Sequence, residues 1–158
     1  MLRLIARPLT PEAFAPYGEV LAAPAEAGRR YFGPKLENRR VRAGLDFSLS
    51  TIAASSLPLK LRLFERHAFS AQVFMPVDVA RYLVTVCPDT GQGRPDTAQS
   101  VSFVVPPDLG VMYVAGTWHH PMVALDRMGR FSVVMWACGD ADDEELVPLD
   151  REIEVHAA

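Results

Sequence analysis

Cysteine is scarce in this chain. Only Cys87 and Cys138 occur in 158 residues, and they form no Cys-x-x-Cys spacing. That argues against a disulfide framework and leaves two buried free thiols in a reducing compartment as the expectation. No apolar run approaches the roughly 18 residues of a membrane-spanning helix. Residues 1–8 lack the stretch of about 7–15 apolar residues that marks a secretory leader. A cytoplasmic location is therefore expected. Positive charge is not in excess either: Lys and Arg total 16 against 19 Asp and Glu, with the signs interspersed. The footprint of a nucleic-acid binder is missing. Internal repeats, low-complexity segments and breaks in composition are all absent, so one domain over residues 1–158 is expected. No long pattern of helical period alternates with the strand candidates, which disfavours a parallel α/β fold.

What the chain does have is apolar content, 49%, enough for one core. It also has four histidines, three of which fall in two short stretches. His119 and His120 lie in Gly116-Thr117-Trp118-His119-His120-Pro121, and His67 ends Phe64-Glu65-Arg66-His67. His156, two residues from the C-terminus, is expected to fray. Gly116 permits backbone geometry that other residues resist, and Pro121 pushes His120 towards an extended conformation. A strand or strand end follows. Neighbouring side chains on a strand point to opposite faces, so one of the two histidines enters a core or pocket and the other faces outward. A buried structural histidine beside a solvated one is the alternative.

Short strands read along most of the chain. Residues 2–5 form one, followed by a brief helix over 10–15 in which Thr10 caps, Pro11 fits the first helical position and Glu12 suits the positive end. Residues 19–21 and 47–52 are further strands. Between them, residues 24–40 form a long polar loop. Arg29, Arg30, Arg39, Arg40 and Arg42 cluster there, as a solvated basic face or as a grip for a carboxylate. In Leu59-Lys60-Leu61-Arg62-Leu63-Phe64-Glu65-Arg66-His67 the odd positions read Leu, Leu, Leu, Glu, His. Period-two alternation predicts a half-buried strand whose register turns Glu65 and His67 inward with the leucines. A buried Glu without a partner is costly, so Glu65 should meet a metal, an Arg or a substrate, unless that end opens to water. Strands follow at 72–76, 81–87, 101–105 and 111–114. Residues 122–125 and 131–136 read as a hairpin about 126–130, and residues 153–155 as a final edge strand. The acidic run 140–145 reads as a solvated turn or helix start. Many short strands between turns predict an all-β sandwich or small barrel.

The histidines carry a spacing that resembles cupin barrels, whose first motif is His-x-His followed by Glu and whose second is Pro-x-Gly-x-x-His. Glu65-x-His67 with Gln72 reproduces the first spacing with two substitutions, and Val114-x-Gly116-x-x-His119 the second with Val for Pro. The resemblance implies a cupin-like jelly-roll β-barrel with one or two short helices, and it picks His119 as the inward histidine. Glu65, His67, Gln72 and His119 would offer two imidazoles, a carboxylate and an amide, a set suited to a divalent ion such as Ni, Mn, Fe or Zn. The alternative is a metal-free pocket in which His67 and His119 act as acid, base or hydrogen-bonding groups.

Three longer stretches are similar to the ureidoglycolate lyase family: Leu9-Thr10-Pro11-Glu12-Ala13-Phe14-Ala15-Pro16-Tyr17-Gly18-Glu19-Val20, then Glu65-Arg66-His67 with Gln72-Val73-Phe74-Met75-Pro76, then Gly110-Val111-Met112-Tyr113 with Gly116-Thr117-Trp118-His119-His120-Pro121-Met122. That resemblance implies a homodimer acting on a small hydroxy acid: urea is released from (S)-ureidoglycolate to give glyoxylate in allantoin and purine breakdown. It implies His67, His119, His120 and Glu65 as catalytic candidates, with Arg39, Arg66, Gln72, Trp118 and Tyr113 as candidates to bind substrate. The chain departs from the family pattern at Leu109, Met112, Ala68, Arg130 and Met135-Trp136-Ala137. A cupin-like enzyme for a different small hydroxy acid, or a non-catalytic acid-binding barrel, are the alternatives those departures raise.

Overall fold

Nearly every apolar run of the chain becomes a strand, and the strands fall into two sheets. The computed structural model describes residues 1–158. The strands are β1 (Leu2–Ile5), β2 (Arg7–Pro8), β3 (Gly18–Leu21), β4 (Gly44–Ile52), β5 (Ala54–Ser55), β6 (Leu59–Arg66), β7 (Gln72–Asp78), β8 (Arg81–Cys87), β9 (Val101–Val105), β10 (Gly110–Tyr113), β11 (Trp118–His119), β12 (Val123–Leu125), β13 (Gly129–Ala137) and β14 (Glu145–His156). The larger sheet runs β1-β14-β6-β11-β8-β12-β5, with β9 also on β8 and β2 on β9. The smaller runs β3-β10-β7-β13-β4. The cupin-like barrel expected from the sequence is what forms. Its one α-helix, α1 (Pro11–Phe14), is too short to cross a membrane.

Between the sheets lies a core of aromatic and β-branched side chains, among them Phe14, Phe74, Tyr82, Val84, Val86, Phe103, Val111, Tyr113 and Phe131. A second core, with Leu61, Phe64, Leu83, Cys87, Trp118, Val147, Ile153 and Val155, lies on the other face of the larger sheet. The central strand β8 alternates between them, Tyr82, Val84 and Val86 in the first and Leu83 and Cys87 in the second. This is why its sequence reads as a continuous apolar run rather than an amphipathic one. Thr10 caps α1 as expected, its hydroxyl accepting from the Ala13 amide at 3.2 Å. The helix thereby drives Phe14 edge-on against Phe103 at 6.1 Å. Gly18 is required by close approach: a Cβ there would sit 1.8 Å from the Met112 carbonyl oxygen.

Several expectations need correction. Residues 122–125 and 131–136 do not form a hairpin. β12 pairs with β8 and β5 in the larger sheet, whereas β13 pairs with β7 and β4 in the smaller. The intervening turn, with Asp126 at φ 69°, carries the chain from one sheet to the other. The last strand is neither short nor at an edge. β14 spans twelve residues and lies between β1 and β6, and its ladder with β6 slips between Pro148 and Ile153. That slip also breaks the alternation in β6: Leu61 and Phe64 share the second core, so the leucines do not set the direction of Glu65. His156 does not fray but bonds Glu154 at 2.7 Å. Arg40 is not on a solvated face; its guanidinium is mostly buried against Asp140 and Asp143.

Both cysteines are free, but only Cys87 is buried. Burial pushes its thiol up to about 12. Thiolate is the reactive form, so a thiol reagent at pH 8 should modify Cys138 and spare Cys87 in the folded protein, and modify both after denaturation. Equal reaction of the two in the native state would contradict this core.

Candidate functional site

Glu65, His67 and His119 meet inside the barrel, and Gln72 is buried opposite the Tyr113 that stacks on His119. Glu65 comes near the end of β6, His119 from β11 directly across the ladder, His67 from just beyond β6, and Gln72 from the first position of β7. The segments are tied together locally. The Gly116 amide donates to the His67 carbonyl at 2.9 Å, and Gly116 adopts φ 87°, which lets the chain turn tightly into β11. The inward histidine is His119, 1% exposed, as the cupin spacing indicates.

The two imidazoles are oriented by backbone carbonyls. Nδ1 of His67 lies 2.7 Å from the Asp143 oxygen, and Nδ1 of His119 lies 2.9 Å from the Thr117 oxygen. A carbonyl can only accept, so each Nδ1 carries a proton, and Nε2 is the nitrogen each ring turns into the site. Both Nε2 atoms are buried and lack a hydrogen-bond partner, as does Gln72 Oε1. His119 Nε2 lies 3.2 Å from Glu65 Oε1, the contact that does most to offset the burial of the Glu65 carboxyl. One ligand atom from each of Glu65, His67 and His119 lies within 4.8 Å of the other two.

Electrostatics hold the group in its ligand-ready form. Burial pushes the Glu65 carboxyl up, but the His119, His67 and His120 imidazoles together hold it below its ordinary range. Burial, and then His119, push His67 down. The site thus presents an ionised carboxylate and a neutral His67 at pH 7. Tyr113 stacks on His119 at 4.1 Å with the rings 13° from parallel, which fixes the ring plane. Gln72 pairs in register with Tyr113 on one side and Met135 on the other, and its amide nitrogen lies 3.9 Å from the Met135 sulfur. Two buried imidazole nitrogens, an ionised carboxylate and an amide oxygen without a partner fit a borderline divalent ion, and the Nδ1 contacts are the outer bonds such ligands need.

Other candidates stand elsewhere. Trp118 is fully buried in the second core, on the opposite face of β11 from His119, and donates from Nε1 to Asp89 at 2.9 Å. Arg66 lies over the Trp118 ring at 4.4 Å and bonds Glu145 and Asp89. Neither reaches the imidazole group, because residues adjacent to Glu65 and His119 on a strand take the other face. A cavity of about 430 Å³ lined by Trp118, Cys87, Asp89 and Tyr17 lies on that far side. His120 turns its Nδ1 to the Pro121 oxygen and stays outside the ligand group. Arg39 is at the rim: its Nη1 donates to the Ala68 oxygen beside His67, and its other nitrogens bond Glu37.

Sequence reasoning missed the support behind His67. Residues Ala141–Asp143 form a single 3-10 turn with a capping box between Asp140 and Asp143. Arg40 clamps both carboxylates from the long loop. The Asp-x-x-Asp spacing was a legible turn signal, but its pairing with Arg40, 100 residues away, was not. Glu144, next in the chain, sits close enough to Glu65 for that carboxylate, after burial, to push its carboxyl up.

The profile of the ureidoglycolate lyase family matches residues 1–156. The chain belongs to the ureidoglycolate lyase family. A ureidoglycolate lyase of Chelativorans sp. is 35% identical over 165 aligned positions, covering 99% of this chain and 98% of the relative. One of Mesorhizobium japonicum is 31% identical and covers 99% of both. Among solved structures, a dTDP sugar isomerase of Desulfovibrio desulfuricans superposes with a TM-score of 0.51 at 16% identity, over 84% of this chain and 83% of that one. At that identity the likeness speaks for the shared barrel alone.

Proposed function

We propose that this chain is a ureidoglycolate lyase, releasing urea from (S)-ureidoglycolate to leave glyoxylate. The observation that carries the reading is the convergence of two bare, buried Nε2 atoms on an ionised carboxylate, in a member of this family. The reaction is an elimination. The hydroxyl on the substrate carbon loses its proton, its electrons form the new C=O, the C–N bond breaks, and the urea nitrogen takes a proton. An imidazole Nε2 is placed to accept the first proton and, once protonated, to return it to nitrogen. Glu65 balances the imidazolium that forms in between. Gln72 offers its amide to the substrate, Tyr113 keeps the His119 ring in plane, and Arg39 at the rim grips the substrate carboxylate. Glu65, His67, Gln72 and His119 would also hold a divalent ion such as Ni, Mn, Fe or Zn, which would supply polarisation of the hydroxyl and carboxylate oxygens. Chelation separates the two forms of the site: activity retained after chelation assigns proton transfer to the imidazoles alone, and activity lost and restored by one ion assigns the ion.

The test is product identification. Incubation with (S)-ureidoglycolate should yield urea and glyoxylate in equal amounts and no ammonia. Ammonia in place of urea, or no product from protein supplied with each of the four ions, would overturn the assignment. The free thiols accord with a reducing cytoplasm, and the reaction with the allantoin branch of purine breakdown.

The same reading includes a homodimer, with β4 in its interface. β4 is the edge strand of the smaller sheet, nine residues long, with Leu45, Phe47 and Leu49 at 59%, 64% and 74% exposure. An edge this long without Lys or Pro is a template for pairing, and an isologous pairing of two such edges closes a dimer. Phe47→Glu is expected to halve the mass measured by light scattering at micromolar concentration, leaving the circular dichroism unchanged. A dimer that survives Phe47→Glu and Leu49→Glu together would place the interface elsewhere.

A further inference from the structure

Arg40 stands apart from every role assigned above. It comes from the long loop, is mostly buried, and forks onto the 3-10 turn that precedes β14: Nη1 to Asp140 at 3.2 Å and Nη2 to Asp143. Its face also lies over the Phe69 ring at 5.1 Å. The turn is drawn tight on itself as well. The Asp143 carboxylate accepts from the amides of Cys138, Gly139 and Asp140 at 2.8, 2.7 and 3.2 Å. The Asp143 backbone oxygen of this turn receives His67 Nδ1 at 2.7 Å. Arg40 is fastened to the His67 side too. Its neighbour Arg39 donates a backbone amide to the Phe69 oxygen, and the Ala71 amide donates to the Glu37 oxygen, so residues 37–40 run beside residues 69–71. A single guanidinium therefore fixes the turn that holds one ring nitrogen of His67 against the segment that carries His67.

We propose that Arg40 is a positioning residue for His67, setting its tautomer: by holding the Asp143 carbonyl in place it keeps the proton on Nδ1 and the Nε2 lone pair facing Glu65 and His119. His119 does not depend on this strut, because its Nδ1 is held by Thr117 in its own segment. The two histidines thus form an internal comparison. Arg is required rather than Lys, since one planar fork spans two carboxylates and a point charge does not. The proposal rests on the reading of His67 as a site residue.

The experiment is ¹⁵N-histidine NMR at pH 8, with long-range proton–nitrogen correlations, on wild type, Arg40→Met and Arg40→Lys. His67 is assigned by loss of its signals in His67→Asn. Wild-type His67 and His119 should each show a protonated Nδ1 and a bare Nε2. In Arg40→Met, His67 should move to a mixture of tautomers while His119 keeps its pattern, and Arg40→Lys should fall between. Zn²⁺ titrated into the same samples should bind about 10–100-fold more weakly in Arg40→Met. His67 retaining a single Nδ1–H tautomer in Arg40→Met would overturn the proposal, and so would His119 changing as much as His67, which would mean general loosening. Failure of the wild type to bind Zn²⁺ would count against a metal at the site and leave the tautomer result to decide the role of Arg40.

Discussion

His119→Gln is expected to lower kcat/KM for (S)-ureidoglycolate by about 10²–10⁴-fold, the range spanned by positioned acid–base groups, while His120→Gln is expected to cost less than about 10-fold. The contrast matters more than either number. The residues are adjacent, so composition and local charge barely change between the variants. What differs is the face. His119 lies in register with Glu65, stacks on Tyr113 and leaves its Nε2 bare in the site. His120 turns Nδ1 to Pro121 and lies outside the ligand group. Gln at position 119 keeps polar volume but cannot carry a proton between substrate atoms. It also removes from Glu65 the leading group that offsets its burial, so the Glu65 carboxyl should rise towards the range of a buried acid. Steady-state kinetics on both variants checks this. Equal losses, or a larger loss at His120, would contradict the inward assignment.

Phe131→Ala is expected to destabilise the protein by about 3–5 kcal/mol, as large-to-small changes at buried aromatics do, against a total of roughly 5–15 kcal/mol for a domain. Phe131 is 0% exposed and stands where the two sheets close on each other. Its ring meets Tyr82 of β8 edge-on at 5.2 Å and Phe74 of β7 at 6.2 Å. Removing it empties contacts on both sheets at once. The surrounding backbone is poorly able to collapse into the gap, since β13 is fixed by ladders on both sides. Urea denaturation should show a lower midpoint with an unchanged slope. A loss under about 1 kcal/mol would mean that the two sheets are held together elsewhere.

The fold class was readable because the chain punctuates its strands with Pro and Gly, and because Thr10-Pro11-Glu12 marks its only α-helix. Glu65, His67, Gln72 and His119 were readable as a group through motif spacing; ligand atoms of Glu65, His67 and His119 lie within 4.8 Å of one another, and Gln72 is buried opposite Tyr113 on the neighbouring strand. Alternation along β6 does not set the direction of Glu65, because Leu61 and Phe64 share one core across the slip opposite β14. The remaining failures are of long range. Only residues 153–155 were read as a strand, whereas β14 runs on from Glu145: Glu145–Pro148 pair with β6 and Ile153–His156 with β1, and residues 149–152, which pair with neither, are carried between those two ladders. Residues 122–136 look like a hairpin until β8 and β7 claim one strand each. Trp118 and Arg66 were drawn into the site by their place in the motifs, yet adjacent positions on a strand face opposite ways. Arg40 was grouped with four other arginines because its two aspartates lie about 100 residues away.

On the proposed reading, one small acid is held between His67 and His119, inside the barrel. Titration of glyoxylate, the expected product, into ¹⁵N-histidine-labelled wild-type protein addresses it without requiring turnover. The His67 and His119 signals are expected to shift together along one saturating curve while His156, at the far end of β14, stays still. Saturable binding that moves neither His67 nor His119 would contradict it.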